Sequence, residues 1–171
     1  MTTDLTGLAL ALGIQLNAAA TKENDLSTVT DSLGISENLA TAFGAAAGLA
    51  DQIVYGQYDL AKVGAGDDVT LDLEALTNAF GVAVNFASIK LVLIINRSLT
   101  GAILEIGNGA EPFKAWHKVA TEIDTLGQDD VSLHTKLDAG WATAGAKDLM
   151  IVNIDAAEAA VFDIVLIGVS A

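Results

Sequence analysis

From residue 51 onward, hydrophobic and polar positions alternate. In DDVTLDLEAL (67–76), Val69, Leu71 and Leu73 fall on one face of an extended chain, and Thr70, Asp72 and Glu74 on the other. That period of two predicts a half-buried strand. Similar runs follow or precede it: DQIVYGQYDLAKV, GVAVNFASIKLVLIIN, GAILEIGNGA, DVSLHTKL, DLMIVNID and AVFDIVLIGVSA, separated by turn residues Gly, Asn and Asp. Together they predict an all-β fold, an antiparallel, jelly-roll-like β-sandwich of about seven to eight strands spanning 51–171. No ten-residue helical pattern intervenes, which argues against a parallel α/β sheet.

Two of these runs are apolar on both faces. In KLVLIIN, Leu91, Leu93 and Ile95 occupy one face while Val92 and Ile94 occupy the other, and VFDIVLIGV behaves alike apart from Asp163. An antiparallel sandwich strand ordinarily keeps one wet face. The surplus must be covered by the N-terminal segment or by another subunit, so a homo-oligomer is expected.

Residues 1–50 read differently. They are rich in Ala, Leu, Thr, Ser and Asn, and their hydrophobic pattern keeps no single period for long. LALALGIQL suits helix or strand equally. ISENLATAFGAAAGLA can hold a short helix capped by Ser36, weakened by Gly44 and Gly48. This segment is expected to be an extension that packs on something else, with Leu8, Leu10, Leu12 and Ile14 as candidate partner contacts.

Charge narrows the partners. Eight basic residues against 22 acidic ones give a net charge of −14. Nucleic acid is excluded as the expected partner, because phosphate binding needs clustered Lys and Arg. A basic protein surface suits this chain better. The 52% hydrophobic content includes only 5% aromatics, so the core must be aliphatic. With no cysteine there is no disulfide framework or CxxC metal site. The N-terminus has an apolar run but carries Asp4 and no basic residue before it, which argues against a cleaved signal. No apolar run reaches the ~18 residues needed to span a bilayer, so no membrane role is expected.

Candidate chemistry is sparse. Gly107 and Gly109 follow a strand, but Pro112 stands near where the third glycine of a dinucleotide fingerprint would come, and there is no GK[ST]. NRSLTG and Asn108-Gly109 suit a hairpin between KLVLIIN and GAILEI, closed by a turn. Asp67, Asp68, Asp72 and Glu74 lack calcium-loop spacing and read as a solvated strand face. His134 alternates out of phase with Val131, Leu133 and Leu137, which predicts a solvent-facing imidazole. His117 is its only fellow histidine, and no GxSxG elbow is present. No catalytic, cofactor or metal residue is therefore assigned. A hydrolase would need Asp72, Glu74 or His134 to converge on one pocket. Trp116, flanked by lysines in KAWHK, is the first candidate contact residue, with His117 beside it and Trp141 as further candidate partner contacts. Trp141 suits a core cap, and either indole could alternatively stack on a sugar.

The strings LDLEALTNAFGVAVNFASIKLVLIINRS (71–98), ILEIGNGAEPFKAW (103–116), LDAGWATAGAKDLMIVNID (137–155) and the terminal FDIVLIGVSA resemble small β-sandwich virion proteins of tailed bacteriophages. The resemblance covers about residues 50–171 and departs between 115 and 136, where the expected Pro/Gly turn is missing. It implies a structural virion protein, first a capsid decoration or cement protein bound to the major capsid protein as a symmetric oligomer, a trimer for preference. A tail- or fibre-associated receptor- or carbohydrate-binding module is the alternative. It transfers no catalytic residues.

Overall fold

The computed structural model describes residues 10–24, 27–43, 49–64, 66–78, 81–107, 112–117 and 122–171. Leu8, Gly44, Gly48, the Asn108-Gly109 turn and Lys118 lie outside them. The described residues contain no helix.

All seven expected runs form strands. They give β4 (Gln52–Leu60), β5 (Asp68–Asp72), β8 (Phe86–Asn96), β9 (Leu104–Ile106), β11 (Val131–Thr135), β13 (Asp148–Asn153) and β14 (Ala160–Ser170). An eighth, β10 (Asp124–Leu126), was not foreseen. The strands β6 (Leu76–Thr77), β7 (Ala83–Val84) and β12 (Trp141–Ala142) are two residues each.

Apart from β6 and β7, which pair only with each other, these strands form two antiparallel sheets. Sheet I has the order β11-β8-β14-β4, with β12 also paired to β8, and sheet II has the order β10-β9-β13-β5. Numbering the eight principal strands in chain order, the sheets read 6-3-8-1 and 5-4-7-2, which is jelly-roll topology. Every connection between consecutive principal strands changes sheet except β9 to β10.

That topology corrects the hairpin expected at residues 97–103. β8 lies in sheet I and β9 in sheet II, so NRSLTG carries the chain from one sheet to the other. Asn96, fully buried, makes the crossing possible. Its Nδ2 donates to the carbonyls of Ala102 (2.9 Å) and Leu126 (3.1 Å), while its Oδ1 accepts from the Ser98 amide (3.0 Å) and hydroxyl (2.6 Å). Backbone groups that leave the ladder here are thereby satisfied inside the protein. Asn153 repeats the device at the end of β13, donating to the carbonyls of Ala61 and Glu158 (2.8 Å each).

The core lies between the sheets. Sheet I contributes Val92, Ile94, Phe162, Ile164 and Leu166; sheet II contributes Leu104, Ile106, Leu149, Ile151 and Leu71. As the composition requires, it is mostly aliphatic, and each such side chain buried contributes about 1.5–3 kcal/mol. Tyr58 stacks on Phe162 at 5.3 Å. At Gly168 an added Cβ would lie 2.1 Å from the Ser88 carbonyl oxygen, beside a β-bulge in the β14/β8 pairing. Only glycine fits that approach.

The N-terminal segment is a two-stranded ribbon. β1 (Leu10–Asn24) pairs antiparallel with β2 (Ser27–Phe43) without a break, from Leu10 opposite Thr41 to Asn24 opposite Ser27. The short helix expected after Ser36 is not formed, since Ser36 lies inside β2 opposite Gln15. β2 runs on through Ser36 in register with β1, so cross-strand hydrogen bonds take the place of helical ones there. The end of β2 pairs in parallel with β3 (Leu49–Ala50). Asp51 then ties the ribbon's root to β14: its carboxylate accepts from the Ser170 amide (2.7 Å) and hydroxyl (2.6 Å). Among the described residues, no strand of either sheet pairs with β1 or β2.

Candidate functional site

Two features stand out from the frame. One is a cluster of polar and aromatic side chains at the rim of the sandwich, and the other is the outer face of sheet I.

At the rim, both tryptophans and both histidines of the chain come together around Asp124 of β10. The turn at residues 115–116 presents Trp116, whose indole N–H donates to Asp124 Oδ2 at 2.9 Å. His134 stacks on that indole at 4.6 Å, and Trp141 and Phe113 meet it edge-on at 6.1 and 5.6 Å. Trp116 and Trp141 are partly buried against the main core. His117 lies 3.6 Å from the same Asp124 oxygen through Nε2 and 3.4 Å from Glu122 through Nδ1, with its side chain 10% exposed. An open groove of about 340 Å³ runs beside the cluster, lined by Asp124, Leu126, Asp130, Ser132, Leu133 and His134 among others.

His134 is not the solvent-facing residue its alternation predicted. It pairs with Val92, whose side chain is in the core, and so points between the sheets. The alternation had the right period and the wrong sign, because β11 turns its apolar residues outward.

Ser132, His134 and Asp124 are in mutual contact, yet they do not form a nucleophile relay. Ser132 Oγ (2.9 Å) and Asp124 Oδ2 (3.0 Å) both approach the same nitrogen, His134 Nε2. A relay needs them on opposite nitrogens, so that the carboxylate holds one N–H while the other nitrogen's lone pair takes the hydroxyl proton. With both partners on one nitrogen, the carboxylate and the hydroxyl compete for the same ring position instead of occupying opposite ones. Asp72 lies on the outer face of sheet II, paired with Lys147, and Glu74 follows in a turn where its amide donates to Asp72. Sheet II thus separates Asp72 from His134, and the three residues a hydrolase would need do not share a pocket. Among the described residues, no group of three or more His, Asp or Glu is placed to hold a metal ion.

The outer face of sheet I is built in rows by the register. One row runs Leu133, Leu93, Val165, Tyr55 across β11, β8, β14 and β4. Below it Leu91 and Ile167, 3% and 1% exposed, are already buried within the chain together with Ala50 of β3, and half-buried Ile53 packs against them, so the uncovered part of the face is the Leu133, Leu93, Val165, Tyr55 row and its margin. Above it, Val131 and Ile95 are followed by Asp163, which is held by Arg97 (2.9 Å) and Gln57 (3.0 Å). Tyr55 is 56% and Val131 58% exposed. Leu93, Leu133 and Val165 are half-buried. An apolar centre with a charged margin is the anatomy of a contact surface.

Of the residues singled out from sequence, Trp116, His117 and Trp141 are brought together, while Leu10, Leu12 and Ile14 lie on β1 of the ribbon, away from that cluster in the fold's pairing scheme. Asp124 and Ser132 were missed, and no local signal marks them, since they meet the histidines only through the fold. The outer face was signalled by the two-sided strands β8 and β14. Scans against protein-family models, curated proteins and solved structures find no match for this chain.

Proposed function

We propose that the protein is a non-catalytic structural component of a tailed-phage virion, a decoration or cement protein that sits on the outer capsid surface as a symmetric oligomer, a trimer for preference, against the major capsid protein. The observation that carries this reading is its two-part build: a jelly-roll body whose sheet I is apolar on the outside, joined to a long paired ribbon. Both parts offer surface for holding neighbours, and the one Ser-His-Asp contact among the described residues is wired against proton transfer. The net charge of −14 suits a basic partner surface. The sequence resemblance to phage virion proteins points the same way.

A glycan-binding module on a tail or fibre draws less support. One face of the Trp116 indole is already taken by His134, and its N–H by Asp124. Mass spectrometry of purified particles tests the reading directly. The chain should be present in many copies per virion, and its absence from intact particles would remove the proposal.

A further inference from the structure

We propose that the apolar outer face of sheet I is the seat for the β1–β2 ribbon of a second copy of this chain, so that copies are joined by exchanged arms. The register sorts the ribbon into two unlike faces. In the register Leu10, Leu12, Ile14 and Leu16 of β1 fall on the same side as Leu33, Ile35 and Leu39 of β2, with Glu37, opposite Ile14, the one charged position among them. The other side takes Gln15, Asn17, Thr21, Thr30, Ser32 and Asn38. An isolated two-stranded ribbon is at best marginally stable in water, and three strands or a packed face are needed to hold it. The ribbon therefore needs an apolar surface, and the same chain carries one.

Two observations say that this face is to be covered, and a third chooses a second copy as the occupant. β11 is inverted: it turns Ser132 and His134 inward and Val131 and Leu133 outward, an arrangement that costs stability in a lone subunit and is repaid only when that face is covered. The chain already begins to cover this face with Ala50, at the root of the ribbon. Reach decides between a chain's own arm and a neighbour's. The 15 residues of β1 extend about 50 Å at ~3.3 Å per residue. A body of 51–171 is roughly 35 Å across from the usual size scaling. Among the described residues neither β1 nor β2 pairs with a strand of its own sheet I, and an arm longer than its own body reaches past it to a second copy.

The inference deepens the neighbour-holding part of the proposed function but does not depend on the virion. Self-association through this face in a chain absent from particles would keep it and sink the capsid reading. The test uses the full chain. Light scattering should give a multiple of the 17.5 kDa chain mass. Two variants should each return it to the single-chain mass with near-ultraviolet circular dichroism retained: Tyr55→Glu with Leu133→Glu on the sheet, and Leu12→Glu with Leu39→Glu on the ribbon. If the sheet variant fails to fold, the ribbon variant alone decides. Because the chain has no cysteine, Leu12→Cys chains mixed with Leu133→Cys chains report which copies meet. Oxidation should yield a crosslinked heterodimer at least tenfold above the yield for a Leu12→Cys chain mixed with a Glu105→Cys chain, whose cysteine lies on sheet II. A monomeric wild type, an oligomer untouched by the ribbon variant, or equal crosslinking to both sheets would each overturn the proposal.

Discussion

The two sheets of the sandwich present opposite outer faces. On sheet II the outward positions are Thr125, Glu105, Val152 and Asp68 in one row, Met150 and Thr70 in the next, and Asp148 and Asp72 in the last. That is an ordinary wet face, mixed and acidic. On sheet I the corresponding row is Leu133, Leu93, Val165, Tyr55, half-buried or exposed, while Leu91 and Ile167 in the next row are already covered within the chain beside Ala50. The inner faces meet in a buried, mostly apolar core, interrupted at the rim by half-buried Ser132, His134 and Asp124. Stability of a sandwich requires only the inner faces, so the apolar outside of sheet I answers to something beyond folding of one chain.

The comparison breaks most visibly along β14, where successive residues face opposite ways. Leu166→Ala, on the inner face, should cost about 2–5 kcal/mol, at any protein concentration, read from urea unfolding. Val165→Ala, one residue away on the outer face, should cost less in dilute solution and show a midpoint that depends on concentration, because only the associated form covers it. Equal and concentration-independent losses would show that the outer face is no contact surface. Next in size is Asn96→Ala. It leaves the Ala102 and Leu126 carbonyls and the Ser98 amide without their side-chain partner, at about 1–3 kcal/mol for each buried group that finds no substitute. The loss should appear as a lowered unfolding midpoint with the association unchanged, since both outer faces are preserved.

Much of the fold was legible because alternation is a local signal. β4, β5, β8, β11, β13 and β14 each carry enough residues to show it, and the strand count followed. What alternation cannot give is sign and partner. Alternation puts His134 outside because the apolar residues of a strand ordinarily face inward, and β11 breaks that rule. NRSLTG has the composition of a hairpin loop, but β8 pairs with β14 and β11 rather than with its neighbour in sequence, a long-range choice with no local mark. β10 offers three residues, Asp-Thr-Leu, of which Leu126 alone is buried, too little to register. The short helix at Ser36 rested on a cap residue, and the ladder with β1 outweighed it. The rim cluster could be read only as separate residues: Trp116, His117 and Trp141 were singled out, but Asp124, which binds them together, looks in sequence like any other acid of an acidic chain.

Sheet II supplies the control for the first comparison. Met150→Lys, at a half-buried outward position of β13 opposite Thr70, should change stability by no more than about 0.5 kcal/mol, the usual range for surface substitutions, and should leave the mass in solution unchanged. Val165→Lys, its counterpart on sheet I, should reduce the mass. If Met150→Lys dissociates the oligomer as well, the two outer faces are equivalent and the contrast between them has no functional content.

Another small effect tests whether sheet II's outer face is truly a solvated one. Asp72 has its carboxyl held below the usual carboxylate range, first by the hydrogen bond from Lys147, then by the Glu74 amide, with the Lys147 charge adding to both. A carboxyl whose folded pKa is depressed contributes stability that is present above its unfolded value, near 3.9 in general, and is lost as pH falls through the folded value. Lys147→Met removes the first-named cause. The Asp72 titration, followed by nuclear magnetic resonance, should therefore move up toward the ordinary range, with the Glu74 amide still holding part of the shift. Stability of variant and wild type should differ most at neutral pH and converge in acid, where Asp72 is protonated in both. For a pair with side chains 31% and 36% exposed, the difference at neutral pH should stay within about 1 kcal/mol and shrink in added salt. A larger, salt-resistant difference would mean that the pair is shielded from water, and sheet II's outer face would then also be covered.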